Sequence, residues 1–113
     1  MWNKGKKHTD LTFIAVAYDG SGNMPNFEAA DTFWSYYLEG NRVKKRQLLS
    51  LTTKNTDDLI AQFRASMFDV IICRNFGPKA MYQLKQVGLR LFTFNGGSAA
   101  AVRAFRRGEL QEL

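Results

Sequence analysis

The residue types able to do chemistry fall in three short stretches. Cys73 is followed directly by Arg74, with Asn75 and the pair Gly77-Pro78 close behind. A thiolate beside a guanidinium and a helix amino end would have a lowered pKa and could ligate iron. A free cysteine is more often a small buried apolar side chain, and that reading is preferred here. Gly77-Pro78 fits a plain helix start, with Pro at the first helical position. It fits an anion site equally well, because a helix amino end presents unpaired N–H groups and a positive dipole end. Gly96-Gly97-Ser98 could cradle an oxyanion, although a tight turn explains the same residues. Asp19 follows an apolar run and opens a loop that ends at Asn26.

Catalysis finds little support in these residues. His8 is the sole histidine and lies near the amino end, so no Ser/His/Asp or Cys/His constellation can be assembled. A two-metal nuclease needs several carboxylates converging on one edge. Asp19 is placed acceptably for that, but the strand before Arg74 ends in Cys73, and Asp69 sits at its opposite end. A binding role is therefore expected rather than an enzyme.

These residues are positioned by a readable order of elements. Residues 1–10 are polar and are expected to form a flexible tail, with one domain over 11–113. Thr12–Tyr18 is a near-continuous apolar run suited to a central strand buried on both faces. Asp19–Asn26 is loop chemistry, rich in Gly, Asn and Pro. Thr32–Leu38 is an aromatic second strand, Glu39-Gly40-Asn41 a hairpin turn, and Arg42–Thr52 a third strand whose Lys44-Lys45-Arg46 suits a sheet edge. The aromatics Phe33, Trp34, Tyr36 and Tyr37 could offer stacking surfaces to bases, but core packing is the preferred reading for an internal strand. From residue 55 the apolar period becomes helical, with Asn55-Thr56 as cap and Leu59, Ile60, Phe63 and Met67 on one face. Asp69–Cys73 is a short buried strand. A second helix follows Gly77-Pro78, buries Ala80, Met81, Leu84 and Val87, and ends at Gly88. Leu89–Phe94 is a fifth strand, and a third helix runs from Ser98 to near Arg107-Gly108.

The order βββαβαβα predicts an α/β fold, one mixed sheet with helices on both faces and strand order 3-2-1-4-5, strand two antiparallel to the rest. Strands one and four are then neighbours whose chains leave in opposite directions. That is a switch point, where a crevice opens beyond the carboxyl ends of the strands. The loops Asp19–Asn26, Arg74–Gly77 and Asn95–Ser98 should meet there, beside helix amino ends that favour an anionic ligand.

Bulk properties limit the alternatives. A chain of 113 residues that is 45% hydrophobic and 23% charged has room for one modest core. A single cysteine excludes an internal disulfide and a multi-cysteine zinc site, and fits a reducing cytoplasm. The net charge of +6 is spread evenly, with eight basic and five acidic residues in 1–54 and the same numbers in 55–113. Local clusters at Lys44-Lys45-Arg46 and at Arg103, Arg106 and Arg107 read as solvated surface, so nucleic acid is not the expected partner. Lys4, Lys6 and Lys7 before Leu11–Ala17 imitate a signal peptide, but seven residues are few for its apolar region. No stretch approaches the ~20 apolar residues of a membrane span, and a soluble, cytoplasmic protein is expected.

The segments FIAVAYDG, NFEAADTF, DVIICRNFGPKAMYQLKQVGLRLF and AVRAFRRGEL, in that order over residues 11–113, resemble the dinitrogenase iron–molybdenum cofactor-biosynthesis family. The family includes stand-alone carriers and the carboxy-terminal domain of a cofactor-assembly enzyme. The resemblance implies a ribonuclease H-like α/β/α fold and a small carrier of an anionic iron–sulfur or iron–molybdenum cluster, with cofactor-assembly proteins as partners. The ligand contacts expected at the switch-point edge are Asp19, Asn26, Phe27, Cys73, Arg74, Asn75, Gly77, Gly96, Gly97 and Ser98, with Cys73 as the one candidate metal ligand. Where the family often has His-Phe-Gly-Arg-Ala, this chain has Asn26-Phe27-Glu28-Ala29-Ala30. Asn26 is a poor iron ligand, and Glu28 brings negative charge to the anion edge. A member acting as an interaction or regulatory domain without a cluster is the alternative; a weak nucleic-acid binder comes third.

Overall fold

The computed structural model describes residues 11–113. The expected tail over 1–10, with His8, lies outside the described residues. Five strands are β1 Leu11–Ala17, β2 Thr32–Glu39, β3 Arg42–Ser50, β4 Val70–Cys73 and β5 Arg90–Thr93. Three helices are α1 Thr56–Arg64, α2 Pro78–Gln86 and α3 Ser98–Arg106. The sheet order is β3-β2-β1-β4-β5. β2 is antiparallel to β1 and β3, whereas β1 runs parallel to β4 and β4 to β5. Order and directions agree with the ribonuclease H-like fold.

Strand register assigns the two faces of the sheet. Ala17 pairs with Phe33, and Ala15 with Ile71, on one face. Phe33 there meets Phe63 of α1 edge-on at 4.9 Å between ring centroids. Val16 pairs with Trp34 and with Ile72, and Ile72 with Phe92, on the other face. Phe92 there meets Phe105, just before the end of α3, at 5.1 Å. So α1 and α3 lie on opposite faces, and the protein has three layers. Ile14 to Ala17 and Val70 to Cys73 are buried throughout, as central strands covered on both sides must be. β3 is the exposed edge, with Lys44, Lys45 and Arg46 in solvent.

Two side chains depart from the helical pattern. α1 stops at Arg64, so Met67 falls outside it and is 78% exposed rather than on its inner face. The backbone N–H groups of Ala65 and Ser66 already close the last turn onto Ala61 and Phe63 carbonyls. In α2, Ala80 and Leu84 are buried, but Val87 comes after the last helical turn and is exposed. Strand alternation puts Phe33 and Tyr37 on the α1 face and Trp34 and Tyr36 on the α3 face, and burial takes one from each. Phe33 and Tyr36 are in the core, while Trp34 and Tyr37 are half-buried.

Candidate functional site

The three expected loops do meet at the carboxyl ends of β1, β4 and β5, and they bond to one another. The Met24 N–H donates to the Gly96 carbonyl at 2.7 Å, and the Arg74 N–H to the Pro25 carbonyl at 3.1 Å. The Phe27 N–H donates to the Asn75 carbonyl at 2.9 Å. A side chain on Gly97 would come within 2.9 Å of the Gly22 carbonyl oxygen, so glycine there permits the close approach of two loops. The Ser98 hydroxyl donates to the Ala17 carbonyl at 2.8 Å and ties the start of α3 to the end of β1.

Phe27 explains how this edge is finished. It is fully buried in a one-turn 3-10 helix over Phe27–Ala29, against Phe33, Phe63 and Phe76. Its ring lies nearly parallel to that of Phe76, with centroids 5.6 Å apart. Burying a phenyl ring contributes about 1.5–3 kcal/mol, which fixes the position of the residue that follows. That residue is Glu28, and its Oε2 accepts from the Gly77 N–H at 2.7 Å. Gly77 is the N-cap of α2 and has no side chain to cap the helix itself. A Cβ there would lie 2.6 Å from the same carboxylate oxygen. The amino end of α2 is thus not left unpaired, as the sequence pattern suggests; the protein's own carboxylate occupies it.

The other helix starts at this edge differ. α1 is capped internally, with the Asp58 N–H donating to the Asn55 side chain at 2.9 Å. α3 begins after Gly97 with no side-chain cap. Between Glu28 and α1 lies an open recess of about 220 Å³, lined by Glu28, Asp31, Lys54 and Asn55 among others.

Cys73 does not have the environment expected of a reactive thiolate. Its side chain is fully buried, and burial first, then the Glu28 charge, push its thiol well above the usual range. Register puts it on the α1 side of the sheet together with Ile71, inside the core. The reading as a small buried apolar side chain is the one the packing supports. Arg74 and Asn75 are exposed at the edge, as are Asp19 and Asn26. Hydrogen bonds from the Ser21 hydroxyl and then its backbone N–H hold the Asp19 carboxyl below the ordinary carboxylate range.

No family model matches the sequence. An uncharacterized protein of Methanocaldococcus jannaschii is 26% identical over 109 residues, covering 91% of this chain and 92% of that one. Among solved structures, a M. jannaschii protein provisionally called a dinitrogenase has a TM-score of 0.72 at 16% identity, covering 92% of this chain and 95% of its own. The apo form of the orange protein from Desulfovibrio gigas gives 0.72 at 19% identity, over 91% and 93%. A Thermotoga protein provisionally called a NifB protein gives 0.69 at 21%, over 90% and 93%. The fold is shared. At these identities the likeness extends to architecture and to nearly full length on both sides.

An iron cluster ligated by side chains does not fit this edge. Among the described residues no three of His, Cys, Asp and Glu come together, and the one thiol is buried and protonated. An anion held by N–H groups and a guanidinium does fit, because Glu28 already shows an oxyanion seated at the α2 start. Glu28 was the residue hardest to place from sequence. Its signals were the buried aromatic before it and the glycine, without a Cβ, at position 77.

Proposed function

We propose that this protein is a small binding or carrier module whose ligand edge is the switch point between β1 and β4. Its ligand is an anion of the metallocluster or related oxyanion kind, held without side-chain ligation of the metal. The carrying observation is the Glu28 carboxylate on the Gly77 N–H at 2.7 Å, a position that an incoming anion takes by displacing it. Glu28 is exposed and sits on a short turn, so its side chain can leave while Phe27 stays anchored. Arg74, exposed one residue past β4 on the loop that leads to Gly77, supplies a charge-assisted donor. The uncapped start of α3 supplies further N–H groups. The names carried by proteins of the same fold, a dinitrogenase and a NifB protein, support the nitrogenase cofactor theme that the sequence resemblance implies. Cofactor-assembly proteins are the corresponding partners.

The test is anaerobic incubation with an iron–sulfur or iron–molybdenum cluster, followed by desalting and metal analysis of wild type, Arg74→Glu and Cys73→Ala. Retention by wild type and by Cys73→Ala, with loss in Arg74→Glu, supports the reading. A wild type that retains no cluster, or retains it only through Cys73, contradicts it.

A second reading draws on the loop-to-loop hydrogen bonds. The same Glu28 contact, together with the loop-to-loop hydrogen bonds, closes the edge in the manner of a domain that carries no cluster and acts through protein contacts. Cluster retention separates the two.

A further inference from the structure

A second charged feature lies at the other end of the sheet. α3 buries Ala101, Val102 and Ala104 against the sheet, which leaves Arg103, Arg106 and Arg107 for the opposite side. Their spacing of three and four residues brings them together on the helix surface. Arg106 Nε donates to the Asn41 carbonyl in the β2–β3 turn at 2.9 Å, so turn and helix end lean towards each other. Gly40 reverses the chain there with φ of 61°, a conformation that favours glycine. Between them is an open recess of about 260 Å³ lined by Asn41, Arg103, Arg106 and Arg107.

Among the described residues no salt bridge involves these guanidiniums, with Glu109 the carboxylate nearest them in sequence and Glu39 the one nearest Asn41. The ion pairs found there join Lys44 to Glu39, Lys79 to Asp57 and Arg90 to Glu112. The carboxyl end of a helix does favour a cation. Three guanidiniums gathered around one recess repel each other unless an anion joins them. The guanidinium fork matches phosphate oxygens with paired N–H donors, which a lysine ammonium does not. The Arg106 bond to Asn41 uses Nε and leaves both terminal nitrogens of that side chain for a ligand.

We propose that this recess binds a multiply charged phosphoryl group of the di- or triphosphate class. It is separate from the switch-point edge. β1 begins with Leu11 paired to Glu39 beside the turn and ends at Ala17, whose carbonyl meets Ser98. The two edges are therefore about 20 Å apart along the strand, at ~3.3 Å per residue.

The test is titration of the full chain with tripolyphosphate at physiological salt, followed by calorimetry and by backbone amide shifts. The expected result is saturable binding with shifts at Asn41 and at 103–108, and none at 19–28 or 74–77. Arg103→Gln and Arg107→Gln, both exposed, should each weaken binding about tenfold, the loss of one charge-assisted contact. Lys44→Gln, outside the recess, should leave affinity unchanged. Adenosine triphosphate in place of tripolyphosphate identifies the source. Equal affinity assigns recognition to the phosphoryl chain alone, and tighter binding assigns a nucleotide. No saturation below millimolar concentration overturns the proposal, as does equal weakening by Lys44→Gln. Binding of a single-stranded oligonucleotide at this recess without any response to tripolyphosphate would likewise overturn it, in favour of a nucleic-acid surface. Failure of cluster binding at the switch point leaves this outcome unaffected, since the shifts map to different residues.

Discussion

Replacing Glu28 by Gln removes a charge from the amino end of α2 while keeping nearly the same shape. The bond from the Gly77 N–H to Oε2 at 2.7 Å is weakened, since a neutral amide oxygen accepts it without the charge. A hydrogen bond to a charged group is worth roughly 1.5–3 kcal/mol when shielded, and a charge at an exposed helix end roughly 0.3–1 kcal/mol. Glu28 is exposed, so about 1 kcal/mol of stability should be lost, close to 4 °C in Tm for a domain of this size. Gly77→Ala reaches the same bond from its other side. Its Cβ would fall 2.6 Å from Oε2, and the end of a flexible side chain yields before the backbone does. That variant should also lose about 1 kcal/mol, and the double variant no more than either single one, a coupling of about 1 kcal/mol. Urea unfolding of the four proteins measures this. Additive losses, or a Glu28→Gln change under about 0.3 kcal/mol, would refute the view that the carboxylate caps α2.

The remaining predictions concern the residues around that contact and the surface charge. Burial raises the Cys73 pKa, so the folded protein keeps a proton that the unfolded chain loses above roughly pH 8.5. The unfolded state then binds fewer protons, and stability should fall as pH rises past that point. Unfolding curves from pH 7 to 10 should show an alkaline loss that Cys73→Ala lacks, and equal slopes would count against it. Gly97→Ala should cost about 1–3 kcal/mol, because its Cβ meets the Gly22 carbonyl, a backbone atom that cannot swing away. Thermal unfolding checks it, and a neutral result would mean the loops do not approach so closely. No magnesium- or manganese-dependent nuclease activity is expected, since β4 ends in the buried Cys73 and Asp69 bonds to the Phe13 N–H at the other end of the sheet. Cleavage of RNA or DNA that Asp19→Asn abolishes would contradict this.

Sheet order was legible because apolar runs and turn residues report burial directly. Thr12–Tyr18 and Asp69–Cys73 read as mostly apolar strands and prove, as Leu11–Ala17 and Val70–Cys73, to be central, and the basic run 44–46 reads as an edge and is one. The meeting of the three loops followed from that order alone. How the edge is finished did not follow, because it depends on contacts across long stretches of sequence. Glu28 and Gly77 are 49 residues apart, and nothing local marks the carboxylate as a cap for a distant helix. Cys73 differs, because the habit of free cysteines already favoured the buried apolar side chain that the structure shows. Its neighbours in sequence are a guanidinium and a helix start, which suggest a thiolate. Its neighbours in space are apolar side chains, which decide the opposite. Met67 and Val87 were misplaced because a helical period persists in sequence beyond the residue where the backbone turns away.

Anaerobic titration with tetrathiomolybdate, followed by backbone amide shifts, tests most directly whether an anion enters the switch point in exchange for Glu28. Wild type should show shifts at 19–28, 74–77 and 95–98. Glu28→Gln should bind about thirtyfold more tightly, the factor given by removing a unit negative charge about 4 Å from a dianion in a water-like medium, worth about 2 kcal/mol. Arg74→Glu should bind more weakly than wild type. Shifts confined to other residues, or equal affinity in wild type and Glu28→Gln, would contradict the exchange and leave the domain without a ligand at this edge.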